Sequence, residues 1–185
     1  WLADLKLPFE PRDYQIDAFN ETIQYGRQLL LSPTASGKSL IIYLLARYYD
    51  KKTIIIVPTT SLVEQMTKDF EEYGYDKDVC KIYSGQPVFP ADITISTWQS
   101  FAKAPKEVLQ GFDVVVGDEA HLFKAQTLKG ILEKMKTTAV RIGTTGTLDG
   151  SEVHRLQLEG LFGPVKKVIT TKELMDEGTI ANLNI

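Results

Sequence analysis

The chain has 185 residues, of which 43% are hydrophobic and 24% charged, the composition of an ordinary globular domain rather than of a disordered segment or a fibre. At roughly 150 residues per domain, this length gives one domain, or one with a short extension. Twenty-one basic against 24 acidic residues leave a formal charge of −3, so no strong global positive field draws the chain onto a phosphate backbone.

The first residue, Trp1, is not an initiator methionine, so a piece of a longer chain or a processed product is expected. No basic region followed by an apolar one marks a secretory signal, and no apolar run approaches the roughly 18 residues of a membrane helix. Trp1 and Phe9 are expected to pack as an N-terminal flap. Leu29-Leu30-Leu31 is the first short apolar run, followed by Leu40, Ile41, Leu44, Leu45 and Tyr48 on one helical face. Thr53-Ile54-Ile55-Ile56-Val57 comes next and ends at Pro58, a residue disfavoured inside a ladder. Ser61 with Glu64 three residues on reads as a capping box for a helix whose stripe is Leu62, Val63, Met66 and Phe70. Further strand-like runs fall at 79–83, 93–96, 113–117 and 139–143, before residues 160–164 break the pattern ahead of a short run at 166–169 and a helix-like 172–177. Short apolar, β-branched runs alternating with amphipathic stretches indicate βαβ units, and runs that are apolar throughout suit strands covered on both faces. The expected fold is therefore a three-layer α/β domain around a central, mostly parallel sheet.

Cys80 is the single cysteine, which excludes an intramolecular disulfide and a multi-cysteine metal site. It is expected to be a small buried hydrophobe in a protein of an intracellular, reducing, cytoplasmic compartment.

The sequence Ser32-Pro33-Thr34-Ala35-Ser36-Gly37-Lys38-Ser39 follows a strand and opens an amphipathic helix, the context of a phosphate-binding P-loop. Backbone N–H groups at such a helix start, aided by the helix dipole, cradle phosphate oxygens. Lys38 would reach the β- and γ-phosphates, and the Ser39 hydroxyl would ligate Mg²⁺. Gly-Lys-Ser alone serves equally well in a polar strand-to-helix turn, and only its placement favours the phosphate reading.

About 80 residues later a buried-looking strand ends in Asp118-Glu119-Ala120-His121. Ligands of open α/β sheets bind outside the carboxyl ends of the strands, so Asp118 and the loop should share one edge. Asp118 is then a partner for Mg²⁺, and Glu119 a candidate general base for an attacking water. Acidic residues also cap helices, and this alternative holds for either residue taken singly. One histidine beside no cysteine or second histidine makes zinc an unsuitable reading.

With these residues in view, the chain resembles the superfamily 2 helicases, specifically their first RecA-like domain, with residues 118–121 as the DEAH form of motif II. The resemblance spans nearly the whole chain, and the wording of residues 32–39 and 56–66 is similar to the recombination and repair helicases of T-even-like phages. It implies that Pro11-Arg12-Asp13-Tyr14-Gln15 is the adenine-sensing element, with Arg12 and Gln15 joining Pro33, Thr34, Ala35, Ser36, Gly37, Lys38 and Ser39 at ATP. It implies Lys38, Asp118, Glu119 and His121 as catalytic residues, with Ser39 and Asp118 on Mg²⁺. Pro58, Thr59 and Thr60 of motif Ia, with Thr97, Trp98 and Gln99 near motif Ib, would contact nucleic acid. Thr145, Gly146 and Thr147 stand at motif III, which couples the two sites. Ser32, Ala35 and Gly146 depart from the family pattern.

On the same resemblance, residues 1–185 form an ATP-binding domain. Residues 1–27 would be a flap with the adenine-sensing element, and 164–185 an exit segment toward a second RecA-like domain that completes the ATP site. The partners implied are DNA, branched or single-stranded, or an RNA–DNA hybrid, and no membrane. Two rival readings are an isolated nucleotide-binding module with negligible turnover and a P-loop phosphotransferase, for which no acceptor site or lid is visible. Among other residues, Trp98 is more expected in the core than stacked on a base, while Lys51, Lys52, Lys166, Lys167 and His154 are expected on solvated surface.

Overall fold

The computed structural model describes residues 1–33, 36–83, 88–135, 138–148 and 151–176. Seven strands among them form one sheet: β1 (Arg27–Leu31), β2 (Thr53–Val57), β3 (Val79–Ile82), β4 (Ile93–Thr97), β5 (Val114–Gly117), β6 (Val140–Thr145) and β7 (Val165–Lys167). They run in the order β3-β4-β2-β5-β6-β1-β7, and each neighbouring pair is parallel. A sheet expected to be mostly parallel is thus wholly so, and helical crossovers return the chain to the same edge before β2, β3, β5, β6 and β7.

The strand alternation sorts the core into two layers. Leu30, Ile55, Val57, Val114, Val116 and Ile142 face one side, with α1 (Asp13–Tyr25), α2 (Lys38–Tyr49), α3 (Thr60–Glu72) and α8 (Thr171–Asp176). Leu29, Ile54, Ile56 and Val115 face the other, with α4 (Trp98–Ala102), α5 (Lys106–Leu109), α6 (Ala125–Lys134) and α7 (Glu152–Phe162). Helix α2 is buried along most of its length, from Leu40 to Ala46, which fits its unbroken apolar run. No helix of the described residues is long and apolar enough to cross a membrane.

The local expectations need several corrections. The N-cap of α3 is Thr59, whose hydroxyl accepts from the Leu62 N–H. Ser61 lies inside the helix, and Glu64 instead meets Lys81 at 3.2 Å and the Tyr83 hydroxyl. The run expected at 166–169 begins as strand β7, paired with β1 from Leu29 opposite Val165. Lys166, expected in solvent, is half-buried beside Glu21 at 3.7 Å. Cys80 is buried as expected. Trp1 stacks on Phe19 at 5.4 Å, and Phe9 meets the Tyr73 ring edge-on at 5.8 Å.

The α7 layer is seated on two strand glycines. A Cβ on Gly143 would lie 2.8 Å from the Phe162 ring and 2.9 Å from Leu29, and one on Gly117 would lie 2.9 Å from Phe162. Overpacking of this kind costs about 1–3 kcal/mol, so Gly143→Ala is expected to lower the unfolding free energy by that amount in urea titration. A Cβ on Gly146 would meet only the Ser32 carbonyl oxygen, at 3.9 Å, and Gly146→Ala should change stability by less than about 0.5 kcal/mol. Equal effects of the two substitutions would contradict this packing.

Candidate nucleotide site

Parallel strands place all their carboxyl ends on one edge, and the candidate residues gather there. The loop after β1 enters α2 through Gly37, whose φ of 72° lies in the left-handed region and whose added Cβ would fall 2.4 Å from the Gln15 Nε2. Glycine is therefore required at this position on two counts. The Gln15 amide is buried and fully committed: its carbonyl accepts from the Arg12 N–H at 2.8 Å, and its Nε2 donates to the Ser36 and Gly37 carbonyls at 3.1 and 3.2 Å. Gln15 thus ties the start of α1 to the loop.

Ser32 occupies the position of the first glycine in the general P-loop pattern. Its N–H donates to the Thr145 carbonyl at 2.8 Å, and its hydroxyl is paired with that of Ser36, which donates onward to the Pro33 carbonyl at 2.6 Å. The extra hydroxyl is absorbed within the loop. Thr34 and Ala35 lie outside the described residues.

The acidic strand end closes on the loop. Lys38 Nζ lies 3.4 Å from Asp118 Oδ1 and in contact with Glu119 Oε1, with only 15% of the lysine side chain exposed. Asp118 also accepts from the Thr144 hydroxyl at 2.6 Å and from the Glu119 N–H at 3.1 Å. The register explains the first contact: Gly117 pairs with Gly143, and one step further Asp118 meets Thr144. Glu119 sits at φ 54°, in the left-handed region, a strain of about 1–3 kcal/mol that collects at functional sites. Ser39 Oγ meets the Tyr73 hydroxyl at 2.6 Å. Its hydroxyl and the Asp118 carboxylate are hard oxygen donors that suit a divalent cation. Among the described residues no cluster of three or more His, Cys, Asp or Glu could hold a metal alone, so a cation here would share phosphate oxygens and water as ligands.

His121 links this cluster to β6. Its Nδ1 meets the Thr145 hydroxyl at 2.6 Å, its Nε2 lies 3.5 Å from Glu119 Oε2, and Thr145 donates to the Thr147 carbonyl at 2.7 Å. Gly146 lies between these residues. His154, expected on open surface, is half-buried, with its Nε2 buried and unpartnered. It shares with His121 a cavity of about 100 Å³.

The residues assigned to nucleic acid lie further along the same edge, after the neighbouring strands β2 and β4. Pro58 is half-buried, whereas Thr59, Thr60 and Gln99 are exposed. Thr97 is buried and caps α4 by accepting from the Ser100 N–H. Trp98 is half-buried, its ring 6.1 Å from that of Phe123. Sequence reasoning missed Thr144 and Tyr73. Thr144 was within reach, since it precedes motif III and the register sets it beside Asp118; nothing in the sequence singles out Tyr73, 34 residues from Ser39.

The model of the family described as the res subunit of type III restriction enzymes, ResIII, matches residues 8–150. The chain is 35% identical over 201 aligned residues to the ATP-dependent DNA helicase uvsW of Enterobacteria phage T4, covering 100% of this chain and 40% of that protein. It is 25% identical over 170 residues to the DNA 3'-5' translocase XPB2 of Sulfurisphaera tokodaii, covering 92% of this chain and 38% of that one. The chain therefore spans about 40% of the length of these curated relatives. The crystal structure of the UvsW helicase from bacteriophage T4 superposes with a TM-score of 0.79 at 35% identity, over 86% of this chain and 60% of that one.

Burial, then the neighbouring charges of Lys38 and His154, hold the His121 imidazole below its ordinary value against a smaller upward pull from Asp118. The unfolded chain then takes up this proton first as pH falls. The His121 contribution is intact above about pH 6.5 and is lost from there down toward the folded value. His121→Asn should accordingly lose less unfolding free energy between about pH 7.5 and about pH 5.5 than the unsubstituted chain in urea titrations. An equal loss in both would contradict the assigned shift.

Proposed function

The chain belongs to the ResIII family of RecA-like helicase domains, and on that premise we propose that it is the ATP-binding motor half of an ATP-dependent DNA helicase or translocase. The observation that carries this reading is the closure of Lys38 onto Asp118 and Glu119, which joins the phosphate loop and the acidic strand end in one site.

The proposed chemistry is hydrolysis of ATP by in-line attack of water on the γ-phosphate. Lys38 exchanges its carboxylate partners for phosphate oxygens and stabilises their charge. The N–H groups of Lys38 and Ser39 at the start of α2 cradle the phosphates with those of the loop, whereas the Leu40 N–H is taken by the Gly37 carbonyl at 3.1 Å. Ser39 and Asp118 hold Mg²⁺, which supplies neutralisation of phosphate charge when bound. Glu119, released from Lys38, orients the water and accepts its proton. The Gln15 amide reads the adenine by exchanging one of its loop bonds for the base. His121, with Thr145, Gly146 and Thr147, conveys the state of Glu119 to β6. Thr59, Thr60 and Gln99 are the exposed candidates for contacts to a DNA backbone. A role in recombination and repair, acting on branched DNA, single strands or RNA–DNA hybrids, rests on the likeness to the phage helicase.

A second reading, for this stretch of chain taken alone, is a nucleotide-binding module with negligible turnover. Calorimetric titration with Mg·ATP, followed by a phosphate-release assay with and without single-stranded DNA, separates the two. Binding with DNA-stimulated turnover supports the motor acting alone, binding without turnover supports the module, and no binding contradicts both.

Lys38→Ala is expected to weaken Mg·ATP binding by about tenfold or more, the scale of a lost charge-assisted hydrogen bond. Glu119→Gln, in a protein carrying both RecA-like domains, should bind Mg·ATP and release no phosphate. Normal release by that variant would remove Glu119 from its role.

A further inference from the structure

Tyr73 follows α3 as its C-cap residue, and its N–H donates to the Asp69 carbonyl. Its ring is held from two sides, by Phe9 edge-on at 5.8 Å and by the buried Tyr43 at 5.4 Å. Pinned there, the phenol reaches out of its own helix to the first turn of α2 and meets Ser39 Oγ at 2.6 Å. Neither the loop motif nor the acidic motif includes this residue.

A serine hydroxyl has one hydrogen and two lone pairs. When such a hydroxyl ligates a divalent cation it gives a lone pair to the metal, and its hydrogen must be accepted by some other atom. A freely rotating hydroxyl would make that choice at random, whereas a hydroxyl partner fixed 2.6 Å away, able to accept as well as to donate, can make it in advance. We propose that Tyr73 is a positioning residue of the nucleotide site: its phenol oxygen accepts the Ser39 hydrogen and leaves the Ser39 lone pairs for the cation that accompanies the nucleotide. The inference rests on the reading of this loop as a Mg·ATP site, and it adds a residue on which the metal contribution to binding depends.

A purely structural bond between α2 and α3 would also cost stability when removed, so stability alone does not discriminate. The test is titration of the chain with ADP in Mg²⁺ and again in EDTA, for the unsubstituted protein, Tyr73→Phe, Ser39→Ala and the double variant. Phenylalanine keeps the packing against Phe9 and Tyr43 and removes only the hydroxyl. Tyr73→Phe should bind metal-free ADP within about twofold of the unsubstituted chain, while the gain in affinity on adding Mg²⁺ falls by about 3- to 10-fold, the range of one net hydrogen bond. Ser39→Ala should lose at least as much of that gain, and adding Tyr73→Phe to it should cost nothing more. An unchanged Mg²⁺-dependent gain in Tyr73→Phe would overturn the proposal, as would additive losses in the double variant. Failure of the unsubstituted chain to bind ADP in either condition would overturn the nucleotide-site reading and this inference with it, whereas a normal gain there combined with an unaffected Tyr73→Phe would overturn the inference alone.

Discussion

A primary ammonium with 15% of its side chain exposed needs anionic neighbours, because desolvated charge is costly unless paired. Lys38 has two such neighbours, and both are themselves constrained. Asp118 is fixed by Thr144 and by the Glu119 N–H, while Glu119 is held in left-handed backbone that a non-glycine residue adopts only at a cost. Two carboxylates against one ammonium leave one unit of negative charge in excess. On the proposed function the same three groups are satisfied in a second way, with the ammonium on phosphate, Asp118 on the cation and Glu119 on water. Binding would then exchange partners around a charge that is already buried.

The second constraint is the pleat of β6. Consecutive residues of a strand point to opposite faces, and Thr144 and Thr145 use this to serve two different layers. Thr144 bonds to Asp118 beside the loop, whereas Thr145 bonds to His121 and, through its carbonyl, to the Ser32 N–H. A shift of one residue in the pairing of β5 with β6 would exchange the two hydroxyls and break both links. The glycines at 117 and 143 reinforce this register, since Phe162 lies against both and leaves no room for a side chain there. The end of β6 therefore joins the loop, Asp118 and His121 in one hydrogen-bonded unit.

The strands were legible because a sheet covered on both faces demands continuous apolar runs, which stand out at Ile54-Ile55-Ile56 and Val114-Val115-Val116. The rule that ligands gather at the carboxyl edge placed Asp118 beside Lys38 before any coordinates did. The capping of α3 was misread by two residues, because Thr59 and Ser61 are both good caps and only backbone geometry chooses between them. Trp98 illustrates the same limit, since an aromatic after a strand end suits stacking or packing, and its half-buried ring meets Phe123 at 6.1 Å while part of it stays at the surface. Tyr73 was beyond reach, because its contact depends on how α2 and α3 dock. That docking is fixed by burial of residues such as Phe70 and Tyr43 rather than by any local signal.

The serine at position 32 separates what a phosphate loop requires from what its usual spelling suggests. Glycine is enforced by positive φ or by close approach of another group, and among the described residues of this loop both conditions fall on Gly37. Ser32 does not have the positive φ that would demand glycine, and its hydroxyl is paired with that of Ser36. The bonds among Ser32, Ser36 and Pro33 brace the first part of the loop, while Gln15 braces the carbonyls at 36 and 37 from the other side. Held in this way, Ser32, Pro33, Ser36 and Gly37 would lose less conformational entropy on meeting a phosphate than unbraced residues would. The departure from the motif at position 32 thus puts a hydrogen bond where the pattern has a glycine, and leaves Gly37 to supply the left-handed backbone that opens α2.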